Sequence, residues 1–184
     1  MSQPQRGPRL KAHIANVAAG LFYSEGIHKV GVDRVADKAG VTKRTLYHHF
    51  PSKDALLAEA LRAAPIALFP KEGLPLARIR GAFASLKTYL KDTAFRGCPY
   101  ILYSAELTDR HHPARQLIER RILKRRQWFQ ARLLEAGAPS PAPLAEELDV
   151  LFDGALASSV KRGTLEPVHA ASRALERVLA GVKP

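Results

Sequence analysis

From residue 9 to residue 50 the apolar positions recur every three or four residues, in short stretches separated by glycine. Ile14, Val17, Ala18, Leu21 and Phe22 form one complete stripe over residues 9–24, and Gly26 stands where that helix would close. Val32, Val35, Ala36 and Ala39 repeat the i, i+3, i+4, i+7 spacing on a second, shorter helix. Gly40 follows it, where a left-handed residue ends a helix without a Cβ penalty. Thr42 offers a hydroxyl to the open N–H groups of a third helix, Lys43–His49, which turns Leu46 inward, with Phe50 following as a second anchor. Outward that helix shows Lys43, Arg44, Thr45, Tyr47 and His48, and it contains no acidic residue. Two short helices joined by a glycine turn, the second tiled with cations and hydroxyls, predict a helix-turn-helix whose second helix enters a DNA groove. A surface hairpin with a solvated polar face is the plainer alternative.

The pattern continues as helix after helix. Ser52 caps a fourth, driven by Leu56, Leu57, Ala60 and Leu61 towards Pro65, and Lys53 at its open N-terminus makes a natural phosphate contact. Residues 65–75 (PIALFPKEGLP) are a proline-interrupted connection. A fifth helix over 76–90 carries Ile79, Phe83, Leu86 and Leu90 on its inner face. Arg96-Gly97-Cys98-Pro99 breaks it, a short helix follows over 100–107, and Arg110-His111-His112-Pro113 breaks that in turn. Residues 114–136 form a long helix with Leu117, Ile118, Ile122, Phe129 and Leu133 in line and Trp128 beside them. Its cations, Arg115, Arg120, Arg121, Lys124, Arg125, Arg126 and Arg132, read first as a solvated face and secondly as an anion or partner site. After the loop 137–143 (GAPSPAP) come two last helices, 144–160 and 168–182. Leu148, Leu151, Phe152, Ala155 and Leu156 on one, with Leu175, Val178 and Leu179 on the other, are the expected self-complementary dimer interface, helped by small residues near Gly154. The expected fold is all-α with about nine helices, in a reader domain over 1–64 and a regulatory and dimerisation domain over 74–184.

Charge sharpens this picture. The 184 residues carry a net charge of +12, which favours polyanionic partners. Residues 1–65 hold 10 basic and 5 acidic side chains, 66–130 hold 13 and 5, and 131–184 hold 6 and 7. The positive field therefore covers the first two thirds, while a near-neutral tail can meet a copy of itself. Residues 1–8 read as a basic arm. No run of eighteen apolar residues exists, so no membrane span is expected. No secretory signal is evident, and the single cysteine, Cys98, suits a reducing cytoplasm.

No phosphate loop, HExxH, CxxC or nucleophile elbow is present, so neither a cofactor nor catalysis is expected. His111 and His112 are adjacent and point apart, a loop pair rather than a metal site. Tyr89, Cys98, Tyr100, Tyr103 and Trp128 are candidates to line a ligand cavity, against the plainer reading of ordinary core.

The run Phe22…Gly26…Val32-Asp33-Arg34-Val35-Ala36…Ala39-Gly40-Val41-Thr42-Lys43…Thr45-Leu46-Tyr47-His48-His49-Phe50…Ser52-Lys53…Leu56-Leu57 resembles, over about fifty residues, the DNA-binding domain of the tetracycline-repressor (TetR) family. Two positions depart from the family pattern: Gly31 replaces a capping Ser or Thr, and Arg44 replaces a typically small residue. The segment 96–113, a Gly-Cys pair followed by Ala-Glu and His-Pro, resembles a pattern of the same family's sensing domain. The resemblance implies a homodimeric, all-helical, cytoplasmic transcription regulator, usually a repressor released by a small molecule. Its DNA-contacting residues here would be Thr42, Lys43, Arg44, Thr45, Tyr47, His48 and Lys53, with Arg44 and Thr45 at base edges and Tyr47, His48 and Lys53 at phosphates. A helical ligand-binding protein or enzyme without DNA function, and a nonspecific DNA binder, are the competing readings.

Overall fold

A computed structural model describes residues 6–63, 68–91 and 97–182. Those residues form nine α-helices and no strand: α1 (Arg6–Glu25), α2 (Val32–Ala39), α3 (Lys43–His49), α4 (Lys53–Ala63), α5 (Pro75–Leu90), α6 (Pro99–Glu106), α7 (Pro113–Glu135), α8 (Pro141–Arg162) and α9 (Glu166–Leu179). The expected all-α class holds. The helix ends carry a lesson about proline. Pro75, Pro99, Pro113 and Pro141, expected to belong to breaks, each open a helix. A first-turn residue needs no N–H partner, and proline's fixed φ is already helical. For the same reason α1 takes in Gly7 and Pro8, so the basic arm expected over 1–8 is shorter, and residues 1–5 lie outside the described set, as do 64–67 of the proline-interrupted connection and Arg96.

The chain packs as two units, Met1–Pro65 with Pro99–Glu119, and Ile66–Cys98 with Arg120–Pro184. In the first, α1 lies against α2 and α4, and α2 against α3. Ile14, Phe22, Val35, Leu46, Phe50, Leu56 and Leu61 fill the space between them, each at most 2% exposed. Burial of each such side chain contributes roughly 1.5–3 kcal/mol. The unit is not one continuous stretch of chain, because α6 and the turn before α7 are bonded into it. The Tyr100 hydroxyl donates to the Leu61 carbonyl over 3.2 Å, and the Glu106 carboxylate accepts the Ile27 N–H at 3.1 Å. His112 Nε2 lies 3.1 Å from the Asp54 carboxylate at the start of α4, while its Nδ1 accepts the Ala114 N–H.

In the second unit, α8 packs on α9 and α5 packs on both. Phe83, Phe129 and Phe152 are at most 1% exposed and stand with Phe69 and Trp128 in one aromatic cluster, with ring centroids 4.9–6.1 Å apart. Arg125 enters from α7. It bonds the buried carboxylate of Asp149, reaches Asp153 through two contacts of 2.7 and 2.8 Å, and lies over the Phe152 ring. Burial works against the Arg125 charge, but hydrogen bonds to Asp149 and Asp153 outweigh it and hold its pKa above the ordinary guanidinium value. Arg126 pairs with Glu146 and Arg132 with Glu135, so three of the α7 cations hold carboxylates of this same unit.

The residues expected at a dimer interface divide within the single chain. Leu148, Phe152, Ala155, Leu156, Leu175 and Leu179 are all at most 3% exposed within the single chain, so they offer no surface to a partner. Both helices turn their widest apolar face to their own core, and a wide stripe does not by itself say whether its neighbour is the same chain or another. Of the expected set, Leu151 and Val178 keep partial exposure. With Val150, 64% exposed, and Ala174 they line a mostly apolar groove of about 750 Å³.

Candidate nucleic-acid interface

The geometry of the helix-turn-helix formed by α2 and α3 follows from its turn. Gly40 adopts φ +66°, which lets the chain leave α2 with the Gly40 and Val41 N–H groups returning to the Asp37 and Ala36 carbonyls. Two residues later Thr42, extended at φ −75° and ψ 154°, caps α3: its Oγ1 accepts the Thr45 N–H at 3.1 Å and stands 2.9 Å from Thr45 Oγ1. Gly31 gives α2 no side-chain cap, as its substitution for a hydroxyl residue implies. Leu46, fully buried, pins α3 to the core, and Phe50 is buried just past its end, with Lys11 Nζ 5.6 Å from the ring centroid. The His13 ring bonds the Ala39 carbonyl at 3.2 Å and ties the end of α2 to α1.

This anchoring leaves the opposite side of α3 in solvent. Lys43, Arg44, Tyr47 and His48 are exposed and Thr45 is half-buried. Tyr47 is 43% exposed, unusual for a large ring. Lys43 is not unbalanced: its ammonium bonds Asp33 on α2 at 2.9–3.1 Å, and that hydrogen bond raises its pKa. Asp33 was invisible as a partner in the sequence because the contact arises where two helices cross. Arg34, next to it, is held by Glu25 through three contacts of 2.7–3.2 Å, which draw the Glu25 carboxyl below its usual range. No carboxylate among the described residues pairs with Arg44. Ser52 caps α4 through the Ala55 N–H at 3.1 Å, placing Lys53 at that helix's first position. The surface formed by α3 and the start of α4 therefore offers open helix N-termini, hydroxyls and cations, the groups that hold phosphates and reach base edges.

The five residues expected around a ligand cavity are divided between the units. Tyr100 and Tyr103 belong to the first; Tyr103 is 3% exposed, and burial, with Glu106 and Tyr23 adding to it, pushes its hydroxyl pKa well up. Tyr89, Cys98 and Trp128 belong to the second. Cys98 is buried, and Trp128 packs on Phe69 and Phe129 with the Arg78 and Arg132 guanidiniums 5.7 and 5.5 Å from its ring centroid. Among the described residues no group of three or more His, Cys, Asp or Glu is arranged to hold a metal. No described helix is long and apolar enough to cross a membrane.

Residues 14–60, α1 through most of α4, match the family of bacterial regulatory proteins called the tetR family. The HTH-type transcriptional repressor KstR2 of Rhodococcus jostii is 38% identical over 61 residues, which are 33% of this chain and 30% of that protein. The HTH-type transcriptional regulator RutR of Escherichia coli K12 is 36% identical over 76 residues, 38% of this chain and 36% of that protein. The matched stretch thus spans about a third of the length of these curated relatives. Whole-chain similarity appears in solved structures. A TetR transcriptional regulator of Streptomyces avermitilis superposes with a TM-score of 0.83 at 29% identity, covering 94% of this chain and 97% of that one. A TetR-family regulator of Streptomyces coelicolor gives 0.82 at 27% identity, covering 96% and 97%.

Proposed function

We propose that the chain is a TetR-family, sequence-specific DNA-binding transcriptional regulator, acting as a homodimer and released from its operator by a small molecule. The observation that carries this reading is the capped, outward-facing α3, pinned by Leu46 and displaying Arg44, Thr45, Tyr47 and His48. One such helix reads only a few base pairs, so two half-sites about one helical turn apart are required for specificity. The near-neutral C-terminal region and the groove containing Val150, Leu151 and Val178 support a second copy as the means of pairing two readers. In the proposed division of labour residues 1–64 read DNA and residues 74–184 provide dimerisation and effector response, in the cytoplasm.

The effector is proposed as a small, mainly apolar molecule bound among residues 76–133, the stretch containing the aromatic side chains of α5–α7. Band-shift titration with the DNA upstream of the chain's own gene, against random duplex of equal length, tests the central reading. Specific binding at nanomolar protein with weak binding to random DNA is the expected result, and equal affinity for both overturns it in favour of a nonspecific binder. A thermal-shift screen of metabolites, repeated with operator bound, tests the effector: a compound that stabilises the free protein and weakens its operator binding is expected.

A further inference from the structure

The α3 face is not uniform, and its geometry separates the residues that can read a base from those that are occupied. At 100° per residue, Lys43 projects about 60° from the direction of the buried Leu46, Thr45 and Tyr47 about 100°, and Arg44 and His48 about 160°. Arg44 and His48, one turn apart, thus form the ridge farthest from the core. Lys43 lies on the α2 side and is taken by Asp33. The Thr42 and Thr45 hydroxyls engage each other, and Thr42 Oγ1 also accepts the Thr45 N–H. His48 sits in the last turn, edge-on to His49 with ring centroids 5.3 Å apart. Arg44 alone of the ridge stands in the first turn, the end of a recognition helix that meets base edges, and no carboxylate among the described residues engages it.

We infer that Arg44 is the base-reading residue of α3 and that it selects a guanine in the operator half-site, its guanidinium donating to O6 and N7 in the major groove. The planar fork of donors matches those two acceptors, and no other base presents two acceptors on its major-groove edge. Lys43 is correspondingly a positioning residue: its bond to Asp33 fixes the start of α3 relative to α2 and takes its charge out of the competition. The inference rests on the operator-binding reading above and deepens it to one residue and one base.

The test is selection of binding sites from a randomised duplex pool by wild type, Arg44→Ala and Lys43→Ala. The expected result is a wild-type motif with an invariant guanine whose preference disappears in Arg44→Ala while the rest of the motif persists. Lys43→Ala keeps that guanine. Replacing that G·C pair by A·T, whose adenine offers one acceptor and one donor, should weaken wild type about 5- to 150-fold and leave Arg44→Ala unchanged. Arg44 is exposed, so its loss leaves the fold intact, checked by an unaltered melting temperature. An identical motif from wild type and Arg44→Ala overturns the inference while leaving the regulator reading standing, as does loss of the guanine in Lys43→Ala alone. A wild-type pool that yields no motif overturns the regulator reading itself, and this assignment with it.

Discussion

Thr42 serves the backbone first. Its Oγ1 accepts the Thr45 N–H and so holds the first turn of α3 in shape. Thr42→Ala should lower stability by about 1 kcal/mol, read from urea denaturation, whereas Thr42→Ser keeps the cap and the stability. Tyr47 and Lys53 are expected to behave differently. Tyr47→Ala and Lys53→Ala should weaken specific and random duplex alike, and loss of the Lys53 charge should lower the salt slope by about 1 per subunit. Unchanged operator affinity in either variant removes that residue from the interface. The residues that were legible in the sequence are those whose job is local. Gly40 and Thr42 act within four positions of themselves, and a pattern of that reach can be read along a chain. Asp33 was not legible, because its partner is ten residues away on another helix and the pairing depends on a crossing angle.

At the scale of elements, α8 carries the clearest contrast. It buries Leu148, Phe152 and Leu156 on one side, receives Arg125 through Asp149 and Asp153, and leaves Val150 in solvent. Substitutions should divide accordingly. Val150→Glu is expected to leave the melting temperature nearly unchanged but to shift sedimentation from dimer to monomer and weaken operator binding. Leu156→Glu instead buries an unpaired charge and should cost about 3–5 kcal/mol in the chain itself. Arg125→Ala should cost a similar amount, since it leaves the Asp149 carboxylate, 6% exposed, without its counter-ion. That six of the eight residues expected at a dimer surface are buried within the single chain was not legible, for a physical reason. The 3.6-residue repeat tells which side of a helix leaves water, but not whose atoms replace the water. Val150 breaks the repeat, and an apolar residue outside the stripe was the available signal. The proline-bearing starts of α5–α8 were blurred because proline marks the end of one element and the first turn of the next alike.

For the molecule as a whole, the excess of 12 positive charges governs the proposed binding to DNA. With on the order of 6–10 phosphates contacted per dimer, affinity should fall about 10³- to 10⁵-fold between 50 and 200 mM salt, measured by fluorescence anisotropy. A slope near zero would remove the phosphate contacts from the account. The proposed effector and operator would oppose each other equally: a compound that weakens operator binding tenfold is itself bound tenfold less well by the complex. The helical class was legible throughout because periodicity is a property of each segment. The composition of the units was not, since nothing in the spacing of Tyr100, Glu106 or His112 reveals that they join the N-terminal helices.

That joining has a consequence for the order in which the protein is made. The Ile27 amide waits for the Glu106 carboxylate, 79 residues later, and the Leu61 carbonyl waits for Tyr100, 39 residues later. At roughly 5–20 residues per second, a ribosome that has released Ile27 needs a further ~4–16 s to deliver Glu106. For the last 43 of those 79 residues, after Ala63, all of α1–α4 has been synthesised while the Ile27 amide still lacks its Glu106 partner. Translation speed across residues 64–106 therefore sets how long α1–α4 wait for these bonds, and a pause there lengthens the wait without altering one residue of the finished protein.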